Sequence, residues 1–461
     1  MHRTALRLLL GTAAPALVLA SGQPDPSFGD GGVVTIHADY EQPFGYEFAR
    51  DALVDHAGRY VTAGQAYDRS GDEDESVGLV TRTLAGGAPD QTLGGVGYVH
   101  LKWQGKELAF SHVQETTDGK LLLSNGNEGH ITDFLPVVCR VEDSGQLDTT
   151  FGTAGCRTLE IVHAGPGLRS GSIAGMQLQP DGRILVLGRP VEDPNDPRGF
   201  ALVRLLSDGS DDLSFGDPSG CPNPDPGCAI AFSPADIGDA ISPGALALDP
   251  QQGRVVVAAH VNVDAFKILT AVRYKANGFL DLAFEPMNFG SLTGDPTTEH
   301  IAVDVQVTPD SSVFVAGGLL FDNQSRIAVA KFHSDGTDDS AFGETGRRLY
   351  VIDPQDQNRP TRLLLQTDGK LVIAGRTGDF FDSNCRLLRI DGATGEFDAA
   401  FGQDGIATSD ALSETYCVPS SVVSDGAHML LTGYSEVVFG DSNVFLLRLD
   451  RDGLFRDGFE P

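Results

Sequence analysis

The strongest constraint on how this chain folds is a phrase repeated along nearly its whole length. Asp-x-x-Phe-Gly stands at Asp25–Gly29, Asp148–Gly152, Asp212–Gly216, Asp339–Gly343 and Asp398–Gly402, with degenerate copies at Asp90–Gly94 and Asp281–Glu285. The fourth residue of each copy is an anchor: Phe28, Leu93, Phe151, Phe215, Phe284, Phe342 and Phe401. A partial eighth copy, Arg456–Glu460, lies at the end. Successive anchors are 58 to 69 residues apart. A length of 461 residues would otherwise suggest roughly three ordinary domains, and the even period replaces that expectation with one repeat architecture.

Each interval has the same inner order. A mixed stretch follows the anchor, as in Cys156–Ile161 and Arg347–Ile352. Next comes an apolar segment ending in a turn (Met176–Gly182, Leu363–Gly369), then an almost wholly apolar run (Ile184–Leu187, Leu371–Ala374). A segment with a basic residue near its end closes the unit, as in Phe200–Leu205 and Val444–Leu449. Short, aliphatic, Gly-bounded runs read as strands. Glycine in the tight second turn, for example Gly145 and Gly209, suits the positive φ that hairpins demand. The inner runs do not alternate, so both of their faces must be covered. These features predict an all-β, seven-bladed β-propeller of four-stranded antiparallel blades. The polar strand after each anchor belongs at the outer edge. The lone strand Gly31–Ile36 is then expected to close the ring by pairing with Val444–Leu449 of the last blade.

The phrases Gln179–Gly188, Phe200–Leu205 and Leu147–Gly152 resemble the delta-60 repeat of exported bacterial proteins, over about residues 24–453. The layout is also similar to NHL-type propeller repeats. The resemblance implies a secreted propeller-like protein and brings no catalytic residues with it. Leu93 and Glu285 depart from the pattern.

The first 20 residues read as a signal peptide: Arg3 and Arg7, an apolar run, then Val18 and Ala20 at a cleavage site. Residues 21–453 form the propeller domain, and 454–461 are a tail. The 13-residue apolar run Leu8–Ala20 falls short of the roughly 20 residues a membrane span needs. Against 33 Lys and Arg stand 64 Asp and Glu, a net charge of −31, which opposes nucleic acid and anionic lipid. Six cysteines in an exported chain favour disulfides, and the strand order pairs Cys139 with Cys156, Cys221 with Cys228 and Cys385 with Cys417.

A basic residue recurs in the third strand: Arg82, Arg140, Arg204, Arg273, Lys331, Arg389 and Arg448. An Asp follows eight or nine residues later in all but the last, where Arg456 stands instead. Ring-wide repetition marks a structural ion pair rather than a single site. Asp68, Asp72 and Asp74 are candidate calcium ligands in an acidic loop, although their spacing does not match the helix-flanked calcium loop and a solvated acidic loop is the better reading. His260 and His300 are placed near the axis or rim. No catalytic signature or nucleotide-binding glycine motif occurs, and no cofactor is indicated. The expectation is a secreted, monomeric, non-enzymatic module presenting rim loops to an extracellular protein or glycan. The alternative is a lyase- or lactonase-type enzyme, metal-dependent or not, at the central channel.

Overall fold

The structure, a computed structural model, describes residues 21–38, 45–68, 75–125, 136–159, 172–189, 199–216, 230–232, 240–263, 266–284, 299–321, 324–343, 345–378, 383–408, 416–438 and 441–451. Every helix or strand named among them is a strand. β1 (Val33–Ile36) precedes a group of four: β2 (Tyr46–Val54), β3 (Tyr60–Asp68), β4 (Glu75–Thr83) and β5 (Tyr98–Leu101). Next come β6 (Phe110–Glu115), β7 (Leu121–Asn125), β8 (Val137–Val141) and β9 (Cys156–Thr158). They are followed by β10 (Ser172–Leu178), β11 (Ile184–Arg189), β12 (Ala201–Leu205) and β13 (Ile230–Phe232). A three-stranded group holds β14 (Ala240–Leu248), β15 (Val255–Val263) and β16 (Phe266–Tyr274). Then come β17 (Glu299–Val307), β18 (Val313–Phe321), β19 (Gln324–Phe332) and β20 (Arg347–Tyr350). β21 (Asn358–Leu365), β22 (Lys370–Gly378), β23 (Ser383–Asp391) and β24 (Ile406–Thr408) follow. The last three are β25 (Tyr416–Ser424), β26 (His428–Val438) and β27 (Asp441–Asp450).

Within each group the strands run antiparallel in chain order. β1 lies on β27, with Val33 opposite Leu447 and Ile36 opposite Val444, so this strand joins the far end of the chain. A single parallel contact, Tyr46 to Ser442, links β27 to β2. First strands pack side by side in sequence: β2 on β6, β6 on β10, β10 on β14, β14 on β17, β17 on β21, β21 on β25, and β25 on β2.

The middle strands are covered on both faces: every residue of β7 and of β12 is buried. Apolar side chains fill the space between neighbouring sheets, as where Leu122 and Val138 meet Ile184, Val186, Ala201 and Val203. Each such side chain contributes roughly 1.5–3 kcal/mol on burial.

The repeated phrase makes the corner between groups. The Asp carboxylate accepts the amide two residues on, as Asp148 Oδ1 does from Thr150 at 3.0 Å and Asp25 Oδ1 from Ser27 at 2.9 Å. That turn aims the anchor ring at the next group. A Cβ on Gly209 (φ +85) would lie 2.9 Å from the Phe151 ring, so the hairpin glycine answers both to its backbone and to the incoming aromatic. Gly152 N–H then donates to Asp208 C=O of that same turn.

The basic residues of the third strand complete the corner. Nε meets the Asp at 2.7 Å in Arg82–Asp90, Arg204–Asp212 and Arg389–Asp398, at 2.6 Å in Arg140–Asp148 and at 2.8 Å in Arg273–Asp281. Lys331 meets Asp339 at 2.9 Å. The last unit, which lacks an Asp of its own, takes Asp25 from the start of the described chain, 2.9 Å from Arg448 Nε. Arg204 also stacks 4.4 Å over Phe215 and donates to Ala276 C=O of the next group. Disulfides join Cys139 to Cys156 across β8 and β9, and Cys385 to Cys417 between β23 and β25. Cys221, Cys228, the signal segment and the tail lie outside the described residues.

Candidate functional site

Every first strand carries a β-bulge at the same place. The register skips Arg50, Ser111, Ala174, Gly244, Val303, Thr361 and Ser420. A bulge bends a strand and redirects the side chain beside it. The residues that follow are Asp51, His112, Gly175, Ala245, Asp304, Arg362 and Ser421, and all seven line one cavity of about 450 Å³. Five of them are polar. Convergence of unlike polar groups from different strands is what a site requires and what a merely repeated scaffold does not produce.

Asp51 is the hub. Its Oδ1 receives Arg362 NH2 at 2.8 Å and Ser421 Oγ at 3.0 Å, while Oδ2 receives the Val113 amide at 3.1 Å. β25 packs against both β2 and β21, so the Asp51–Arg362 pair joins strands on either side of it across the cavity. Burial opposes charge on Arg362, but Asp51 and Asp304 together raise its pKa above the ordinary arginine value. Asp304 accepts the amides of Leu363 at 2.7 Å and Val305 at 2.8 Å. Burial is the larger influence on that carboxyl and pushes it up. Both Asp304 oxygens are thus held by backbone, which makes it a clip between neighbouring first strands.

His112 sits where this cavity adjoins a second of about 380 Å³, whose lining includes Arg50, Ser111, Ser172 and Arg189. Burial drives the imidazole down to about 4, against the pull of Asp51, so it is neutral at ordinary pH. Its Nδ1 lies 3.0 Å from Ser124 Oγ. Arg50 rests against the Phe48 and Tyr434 rings at 5.3 and 5.7 Å, and Arg189 donates to Pro243 C=O at 2.7 Å. An acidic chain therefore places two guanidiniums and a neutral imidazole around one opening.

Sequence reasoning missed this collar, because Asp51, His112 and Arg362 belong to no motif. The available signal was positional: different polar residues at one place in the repeat, where the neighbouring copies carry Gly175 and Ala245. His260 and His300 line neither cavity. They lie on β15 and β17, where burial, with the nearby His260 adding to it, lowers His300 to about 4. Asp72, Asp74 and the Asp68 side chain fall outside the described residues. No helix among the described residues is long and apolar enough to cross a membrane.

Residues 179–215 and 308–342 match a family described as a domain of unknown function, DUF5122, beta-propeller. No curated protein matches the sequence. Among solved structures, the polysaccharide lyase Uly1 aligns at a TM-score of 0.50 and 13% identity, over 90% of this chain and 94% of that one. An ulvan lyase of the PL25 family aligns at 0.40 and 10%, over 73% and 82%. An α-L-arabinanase of Penicillium chrysogenum in complex with arabinobiose aligns at 0.42 and 12%, over 73% and 92%. The chain thus has a propeller-type fold with propeller-type repeats.

Two expectations are corrected here. The chain was expected to be a non-enzymatic display module and not an enzyme. A solved structure aligned over nine-tenths of it is a polysaccharide lyase, and the cavity assembles unlike polar groups that display alone does not call for. The physical reason for the miss is that these polar groups meet only in space, drawn from strands in successive repeats of about 60 residues, and no local motif spells the collar.

Proposed function

We propose that the chain is an exported, seven-bladed β-propeller enzyme of lyase type, acting on an acidic polysaccharide at the mouth of its axial cavity. The observation that carries the reading is the meeting of Arg50, His112 and Arg189, from three different groups of strands, at one opening beside the Asp51–Arg362 pair. Two guanidiniums suit the carboxylate of a uronic acid, by charge and by fork geometry. His112, neutral and held between the Ser124 hydroxyl and the Ala174 backbone, is the proton acceptor the cavity offers. In elimination the proton on the carbon beside the sugar carboxylate passes to the imidazole. The neighbouring carbon–oxygen bond breaks, a carbon–carbon double bond forms, and the departing oxygen takes a proton back from the imidazolium, which returns His112 to its neutral form.

The circular packing from β2 to β25 and back supports a seven-bladed ring, with the group β14–β16 as one blade. The β1–β27 pairing supports closure by the N-terminal strand, and the two disulfides support export. Delta-60 remains our assignment for the repeat.

The test is to incubate the purified chain with uronate-containing polysaccharides and follow both ultraviolet absorbance of the unsaturated product and new reducing ends. Absorbance gain that disappears in His112→Ala supports the proposal. Reducing ends without unsaturation would make it a hydrolase, and neither signal across the panel would overturn the enzymatic reading.

A further inference from the structure

We infer a binding site for a divalent transition metal, zinc by its chemistry, at the seam where the chain's beginning meets its last strands, with Asp25, His428 and Asp450 as ligands. The inference rests on this seam alone and is independent of the activity proposed above.

The argument starts from what the other corners do. At five of the six, one oxygen of the repeated Asp holds two cations, the third-strand base and a second base from the start of the second strand; at Asp339 Ser312 stands in that second place and Lys331 is the strand base. Asp90 Oδ2 is met by Arg82 and by Arg59 at 3.2 Å, and Asp148 Oδ2 by Arg140 and by Lys120 at 2.7 Å. Arg183 takes this second place at Asp212 (3.2 Å), Arg254 at Asp281 (3.8 Å) and Lys370 at Asp398 (3.0 Å). At the seam the third-strand base is Arg448, but the second place belongs to His428, with Nε2 3.6 Å from Asp25 Oδ2. Asp450 adds a further carboxylate, with Oδ1 3.8 Å from the same nitrogen.

Both distances are too long for hydrogen bonds. They approach the separation of about 3.3 Å between two ligands of a tetrahedral zinc ion with bonds near 2.0–2.1 Å. The three ligand atoms lie within 4.8 Å of one another. Asp450 is only 9% exposed, and its buried Oδ2 has no partner among the described residues. The carboxylate thus turns Oδ1 toward His428 and keeps Oδ2 buried without a hydrogen bond among the described residues, an under-satisfied group that a cation would compensate.

The outer contacts agree. His428 Nδ1 lies 3.1 Å from Asp425 Oδ2, which also accepts Tyr60 O–H at 2.7 Å. A carboxylate on one ring nitrogen, with the other turned toward two more carboxylates, is the arrangement that orients a metal-ligating histidine. Three carboxylates, Asp25, Asp425 and Asp450, gather here, and Arg448 meets Asp25 among them. A dication would supply the second positive partner found at five of the other six corners, and the imidazole selects zinc-like ions over calcium.

The test uses the full chain, stripped with chelator, titrated with zinc by calorimetry and melted with and without it. One equivalent should bind, and the melting temperature should rise with zinc. His428→Lys installs the cation found at Lys120 and Lys370, so this variant should fold and melt cooperatively without added metal. Its zinc affinity should fall by at least the roughly 10- to 100-fold expected for a disturbed ligand set. Asp450→Asn should show the same loss. Absence of stoichiometric binding in the native chain, or undiminished binding in a folded His428→Lys, would overturn the site.

Discussion

The outer corners and the axial collar are both built by the repeat, and they differ in what they do with it. At the corners, the Asp, the anchor ring and the third-strand base recur with nearly identical distances from group to group. At the collar the backbone device recurs, a bulge in every first strand, while the side chain after it changes from Asp51 to His112 to Gly175 to Ala245. Regular side chains on regular backbone hold sheets together. Irregular side chains on regular backbone make a site, because the backbone has already paid for precision.

The harshest challenge to this contrast is removal of residues 21–37. That deletes β1 and Asp25 together, leaving one edge of β27 unpaired and the Arg448 guanidinium without its carboxylate. We expect a large fall in melting temperature or failure to fold, read by circular dichroism; an unchanged melt would end the closure reading.

A single corner comes next. Arg204→Ala removes the nearer of the two bases on the buried Asp212 carboxylate and leaves Arg183 at 3.2 Å, which should cost about 1.5–3 kcal/mol in denaturant unfolding. A loss of only a few tenths would mean that the corners are ornamental. The collar should respond in the opposite sense. His112→Ala is expected to lower kcat/KM on a uronate polymer by on the order of 100-fold or more, with little change in melting temperature.

Acid should separate the two regions by pH. Burial alone would raise the Asp90 carboxyl, but Thr92 and Arg82 more than offset it and hold it down at about 2. Against an unfolded value of about 3.9, its stabilisation is complete above that pH and is lost as pH falls toward 2. His112 and His300 are depressed by burial to about 4, so the unfolded chain takes up their protons first and stability declines between about pH 6.5 and 4. Denaturant midpoints across pH should therefore fall in two stages, and His112→Ala should flatten only the upper one. Arg189→Ala should have the smallest effect, a several-fold rise in KM at unchanged kcat if the guanidinium binds substrate carboxylate equally in ground and transition states.

The corners were legible in the sequence because each draws on neighbours in the chain: Asp148, Phe151 and Gly152 lie within one turn, and Arg140 is one hairpin away. The pairing of Cys139 with Cys156 was legible for the same reason. Asp25 replacing an absent Asp beside Arg448 was less so. The deviation at Arg456 was visible, yet its remedy came from more than 400 residues away. The collar was not legible at all. Its members are spaced like any other position of the repeat, and nothing local distinguishes Arg362 from a solvent-facing arginine.

Period, strand type and the chemistry of the turns followed from the amino-acid order, because short-range sterics and the burial of aliphatic runs act along the chain. Which polar groups share a lumen, and which histidine stands among three carboxylates, was decided only when the sheets came together. Coulomb and hydrogen-bond energies depend on separation in space, and a repeat folded back on its own beginning makes distant residues adjacent.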